Sequence, residues 1–204
     1  MFHLLDKPKQ DYRYYRWFFT TSGILVVGGK SDEQNELVLH TFLKPTYTVV
    51  HTTAPGSPFM IIQSESPTQK DITEAAVFCA CFSKQWKQLK NIKGTISIDI
   101  FKGEHMYKLR GMKKGTFGVK GQKKTILVSP SLLLLFQKGK LRAVPPNARK
   151  KRVEGEILAT ITTGKMNKEE AASYIAKKIK ETFHFPISKE EIVSAIPSDK
   201  LHVE

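Results

Sequence analysis

Apolar positions along this chain change period several times, and each change predicts a different element. Tyr14 to Thr21 is aromatic and β-prone, Thr21-Ser22-Gly23 reads as a turn, and Ile24 to Val27 is apolar again, so the pair predicts a hairpin. Ser31-x-x-Gln34 then has the form of a capping box, with Leu37, Val38 and Phe42 on one side of a helix that ends by Pro45. Tyr47 to Thr53 and Phe59 to Glu65 are strands on either side of Ala54-Pro55-Gly56-Ser57-Pro58. A helix of about five turns is expected from Asp71, capped by Asp71-x-x-Glu74. Its face runs through Ile72, Ala75, Ala76, Cys79, Phe82, Trp86 and Leu89. Thr95 to Lys102 alternates and predicts a half-buried strand. Short strands follow at 105–109, 116–120 and 125–129, separated by glycines.

Past Pro130 the character changes. Leu132 to Phe136 is apolar, and KGKLRAVPPNARKKR reads as a basic loop. Glu154 to Thr162 is an expected strand, Asn167-x-x-Glu170 caps a helix to about Phe183, and Ser188-x-x-Glu191 caps a short one. Hairpin-length connections and the absence of regular βαβ alternation indicate an α+β fold. Its sheet is mostly antiparallel, with one long packed helix and a small α+β C-terminal extension. The expected organisation is a tail at 1–11, a main domain at 12–129, and a basic linker with the extension at 130–204.

Composition sharpens this picture at one point, charge. The net charge of the 204 residues is +14. Residues 102–152 hold 15 Lys or Arg against the single acid Glu104, while the remainder is balanced at 18 and 18. A localised field of one sign points to an anionic partner. The longest apolar run is far short of a bilayer span, and MFHLLDKPKQDYRYYR has no signal-peptide pattern, so a cytoplasmic protein with no membrane partner is expected. Cys79 and Cys81 are two apart in a helical pattern and are expected to be reduced and buried. The six histidines form no zinc or HExxH spacing, so neither a metal nor a cofactor is expected.

The candidate chemistry begins at VVGGKSDEQNE, residues 26–36, where a strand passes through two glycines and a lysine into a helix. A phosphate-binding P-loop would require glycine at position 24, which is Ile24, and the intervening residues are too apolar to wrap a triphosphate. A weaker use of the same physics remains, in which helix N–H groups, close backbone approach and Lys30 meet a phosphate. Asp32 and Glu33 oppose a dense anion at the first turn, whereas Gln34 and Asn35 offer hydrogen bonds to sugars or bases. The alternative is a simple hairpin exit followed by a capped helix.

A longer pattern decides between them. Trp17-Phe18, Thr21-Ser22-Gly23, Leu25-Val26, Gly28-Gly29-Lys30 and Gln34-Asn35-Glu36 together resemble the NFACT-R (DUF814) domain. That domain is shared by the bacterial "fibronectin-binding" family and by eukaryotic ribosome quality-control factors. The resemblance continues through Tyr47 to Gly56, Thr73 to Ala76, Cys81 to Trp86, and the closing segments Lys114 to Phe117 and Val119 to Lys124, covering roughly residues 12–129. Two positions depart from the family pattern: Thr53 stands where the family has an acid, and Pro55 where it has a second histidine. The resemblance implies a stand-alone RNA-binding module whose partner is tRNA, rRNA or the ribosome, without the tailing activity of the full-length factors.

The expected contacts are Lys30, Gln34, Asn35 and His51, the hairpin cations Lys108, Arg110, Lys113, Lys114, Lys120, Lys123 and Lys124, and the cluster Arg149, Lys150, Lys151 and Arg152. Such clusters bind phosphate chains in a sequence-independent, salt-sensitive way. Tyr107 and Phe117 are placed to stack on bases if exposed, or otherwise to belong to the core. His51 has no adjacent carboxylate, so it reads as structural or as an RNA contact and no catalytic residue is expected. Reversing Lys123 and Lys124 to Glu is expected to weaken RNA binding without unfolding the domain. Two rivals stand beside this reading: a component of an RNA-modifying or processing enzyme, and a general DNA-binding scaffold.

Overall fold

The computed structural model describes residues 11–148 and 156–204. The first sheet is built from β1 (Arg16–Phe19), β2 (Leu25–Gly28), β3 (Thr48–Thr52), β4 (Met60–Ile62), β5 (Ile96–Lys102) and β8 (Lys124–Val128). Its order is β1-β2-β4-β3-β5-β8, and every neighbouring pair is antiparallel. The two-residue strands β6 (Met106–Tyr107) and β7 (Gly118–Val119) pair separately.

The central strands are continuously apolar because both faces of this sheet are covered. Val26, Val50, Met60 and Ile62 face a core that includes Ala75, Phe78 and Cys79 of α2 (Gln69–Cys81). Val27, Val49 and Ile61 face the opposite way and meet Val38 and Leu39 of α1 (Asp32–Phe42). Full burial of each such side chain is worth roughly 1.5–3 kcal/mol.

Two helix signals shift when the backbone is seen. The N-cap of α2 is Thr68, three residues earlier than expected, and Asp71 is the reciprocal partner in the capping box. Glu74, freed from capping, is buried and accepts from the Thr21 backbone N–H at 2.8 Å and from the Thr21 hydroxyl at 2.6 Å. It thereby ties the β1–β2 turn to the helix. Nor does α2 run five turns: it ends at Cys81, and Ser83 caps a separate 3-10 turn, Lys84–Gln88, that returns Trp86 to the core. The periodicity through Trp86 is real, but a new cap interrupts the helix.

A second sheet has the order β10-β9-β11-β12, from β9 (Leu132–Gln137), β10 (Lys140–Val144), β11 (Ala159–Met166) and β12 (Leu201–Val203). The expected basic loop is therefore half strand. Lys138 and Gly139 carry φ of 53° and 70°, the left-handed pair of a two-residue hairpin turn. Beyond it Leu141 and Ala143 alternate inward between Lys140 and Arg142. Helices α3 (Lys168–Phe183) and α4 (Lys189–Ala195) pack on this sheet, with caps at Asn167 and Ser188 as expected. On α3, Ala171, Ile175 and Ile179 are buried and Tyr174 is exposed.

The two sheets share one apolar cluster, which runs from Phe18 and Phe78 to Leu134, Ile175 and Ile196. Polar stitches reinforce it. The buried Gln137 amide accepts from the Phe19 N–H at 2.6 Å and donates to the Phe19 carbonyl at 2.9 Å, completing the edge of β1. Trp86 Nε1 donates to the Asp199 carbonyl at 3.0 Å.

Candidate nucleic-acid interface

Three residues, Gly29 to Ser31, carry the chain from β2 into α1. So short a connection has no room for a loop wrapped around a triphosphate. Ser31 is the N-cap and accepts from the Gln34 N–H at 3.3 Å, while Gln34 Oε1 accepts from the Lys30 N–H at 3.0 Å. The Gln34 amide oxygen is thus engaged with its own loop. A Cβ at Gly29 would stand 2.5 Å from Asn35 Oδ1, so glycine here lets the loop lie directly on the helix. Asn35 is buried beneath it, and its Oδ1 has no hydrogen-bond partner. Lys30 itself projects from the surface.

The hairpin cations divide into two kinds. Lys108 pairs with Glu36 and lies 4.7 Å over the Phe117 ring, and Lys114 pairs with Glu33 at 3.8 Å. Together with a 2.8 Å bond from the Gly115 N–H to Glu36, these contacts strap the 108–117 loop to α1. Lys123 is bonded to Asp99 at 2.7 Å. Arg110, Lys113, Lys120 and Lys124 are exposed and make no ion pair among the described residues. Tyr107 is partly exposed, whereas Phe117 packs edge-on against Phe59 at 5.7 Å. Arg149, Lys150, Lys151 and Arg152 lie outside the described residues.

His51 stacks on Phe59 with ring centroids 4.3 Å apart, and its Nδ1 donates to the Thr52 carbonyl at 2.7 Å. Burial lowers its pKa, outweighing the hydrogen bonds and the Asp99 charge that would raise it. Thr53, in place of the family's acid, donates to Asp99 Oδ1 at 2.9 Å. A carboxylate is therefore present, but it is supplied by the neighbouring strand β5 and is already bonded to Lys123, Thr125 and Thr53.

The pattern along the chain did not reveal a second gathering of charge. Arg16 pairs across the sheet with Gly28 and so sits beside the Lys30 turn. Its guanidinium lies 4.3 Å over the Phe82 ring, and burial lowers its pKa to about 10. Arg142 reaches over from β10. Its Nε and Nη2 donate to the Trp17 carbonyl at 3.1 and 2.8 Å, and burial, then Arg16, lowers it to about 10. Lys30 is lowered by desolvation, then by Arg16 and Arg142; Lys168, at the start of α3, is lowered by desolvation and by Arg16. None of these four cations forms an ion pair among the described residues. The sequence signals were faint: a lone arginine inside YYRWFF, and another inside LRAV, a stretch read as loop.

The family model for the "NFACT protein RNA binding domain" matches residues 14–121. The human ribosome quality control complex subunit NEMF is 27% identical over 87 residues, 40% of this chain and 8% of that protein. The Rqc2 homolog RqcH of Bacillus subtilis is 31% identical over 112 residues, 54% of this chain and 18% of that protein. The chain thus spans less than a fifth of the length of either relative. The C-terminal part of the fibronectin/fibrinogen-binding protein of Streptococcus suis is 26% identical, covers 57% of this chain and 45% of that chain, and superposes with a TM-score of 0.49. With more than half of its length inside the family model, the chain belongs to the NFACT RNA-binding domain family.

Proposed function

We propose that this chain is a non-catalytic RNA-binding module of ribosome-associated quality control, which takes tRNA or ribosomal RNA through the basic surface around α1. The observation that carries the reading is the gathering of unpaired cations on a member of an RNA-binding family. Lys30, Arg16 and Lys168 lie at one end of α1, and exposed Arg110 and Lys113 lie on the loop strapped along it. The mechanism is neutralisation of phosphates by Lys and Arg with release of counterions, not base-by-base reading. His51, stacked and hydrogen-bonded to backbone, supports a positioning role for that segment. Among the described residues no helix is long and apolar enough to cross a membrane, and a cytoplasmic site of action accords with the ribosomal reading.

Crosslinking the full chain to total cellular RNA at two salt concentrations, followed by sequencing, tests this. The expected result is enrichment of tRNA or of one ribosomal surface, falling as salt rises. Uniform recovery of all RNAs, or no recovery, overturns it. Competition between matched RNA and DNA duplexes separates this module from a DNA-binding scaffold.

A further inference from the structure

We infer that Arg16, Lys30 and Lys168 form one composite phosphate site, built jointly by the family domain and by the C-terminal region that the family model does not cover. The inference rests on the RNA-binding reading for the source of the phosphate, a nucleic-acid strand.

Two adjoining clefts share Arg16 and Lys30. One, of about 290 Å³, is also lined by Asn35, Lys84 and Lys87; the other, of about 510 Å³, by Lys168 and Lys189. Acids are present but few. Asp32 borders the first cleft, and Glu169 and Glu190 border the second. Lys189 engages Glu169 at 2.8 Å, and Lys87 engages Asp199 at 3.2 Å. What is left over is cationic.

The fold holds these charges in place. Arg16 is fixed on β1 and stacked on Phe82, and Arg142 is pinned by the Trp17 carbonyl and stacked over the Trp17 ring at 4.5 Å. Arg142 lines neither cleft, but its charge adds to the field at Lys30. Gathering partly buried like charges costs stability unless a counter-charge enters. A phosphate group, with several acceptor oxygens, suits the planar Arg16 guanidinium fork flanked by point-charge lysines. Because Arg16 lies on the first sheet and Lys168 opens α3, which packs on the second, a phosphate bound here also holds the two sheets together.

A site of this kind makes an unusual thermal-shift prediction. In chloride, Lys168→Gln and Lys30→Gln relieve repulsion and leave the melting temperature equal to wild type or higher. When inorganic phosphate replaces chloride at equal ionic strength, wild type rises by about 3 °C or more beyond the two variants. In RNA titrations each variant lowers the log–log salt slope by about one. Lys177→Gln, which removes the same charge from the exposed middle of α3, leaves that slope unchanged. Oligonucleotides with and without a 5′-phosphate separate a terminal group from a backbone one, and tighter binding of either supports the site if the variants abolish it. An equal phosphate shift in wild type and variants, or an unchanged salt slope in both, overturns the composite site while leaving RNA binding intact. A phosphate shift confined to wild type, with no RNA recovered from cells, supports the site and removes the RNA-binding reading.

Discussion

Asp99 shows how one residue changes the meaning of its neighbours. Burial by itself would raise its pKa, but hydrogen bonds from Lys123, Thr125 and Thr53 outweigh burial and hold it below its ordinary value. The unfolded chain therefore takes up this proton first on acidification. Asp99 contributes stability above about pH 4 that is lost as pH falls through its lower folded value. Denaturation followed from pH 6 to pH 3 is expected to show this loss in wild type and a flatter profile in Asp99→Asn. The same pairing changes the expectation for the β8 lysines. Lys123→Glu would set two carboxylates together and destabilise the sheet, so Lys124→Glu alone is the clean test of a phosphate contact on this edge. It is expected to weaken RNA binding with an unchanged unfolding midpoint. Gln137 is a comparable case: Gln137→Ala leaves both Phe19 backbone groups unpaired, and urea denaturation should show a loss of about 1–3 kcal/mol.

At the scale of elements, local signals were readable and distant ones were not. The cap of α3 at Asn167 and Glu170 could be read because both partners lie within one turn. The cap of α2 was misplaced by three residues because Asp71-x-x-Glu74 satisfies the same pattern as Thr68-x-x-Asp71, and only tertiary contact shows that Glu74 serves Thr21 instead. Basic composition hid β10, although Leu141 and Ala143 alternate within it. Arg16 and Arg142 lie on separate strands far apart in the chain, and no periodicity links them. The hairpin itself offers a measurement. Gly139 sits at φ 70° with open space around its Cα, so Gly139→Ala introduces backbone strain without a steric clash. Thermal unfolding should show a cost of about 1 kcal/mol.

Across the whole molecule, the two sheets are joined by a shared apolar cluster and by the Gln137, Arg142 and Trp86 contacts. That joint core leads us to expect one cooperative transition, with tryptophan fluorescence and far-UV circular dichroism coinciding during denaturation. Two separated transitions would show that the sheets unfold independently. Trp17 and Trp86, the two tryptophans, flank the boundary between the sheets and report on it directly.

Cys79 and Cys81 are wholly enclosed in α2, and burial pushes the Cys79 thiol up to about 12 and raises Cys81 well above its ordinary value. A thiol in that state does not react with maleimide or disulfide reagents while the fold is closed. The natural chain is therefore already silent to cysteine chemistry. A single cysteine placed on the exposed 108–115 loop would take a fluorophore or crosslinker cleanly, and slow labelling of the native pair would time the opening of the core.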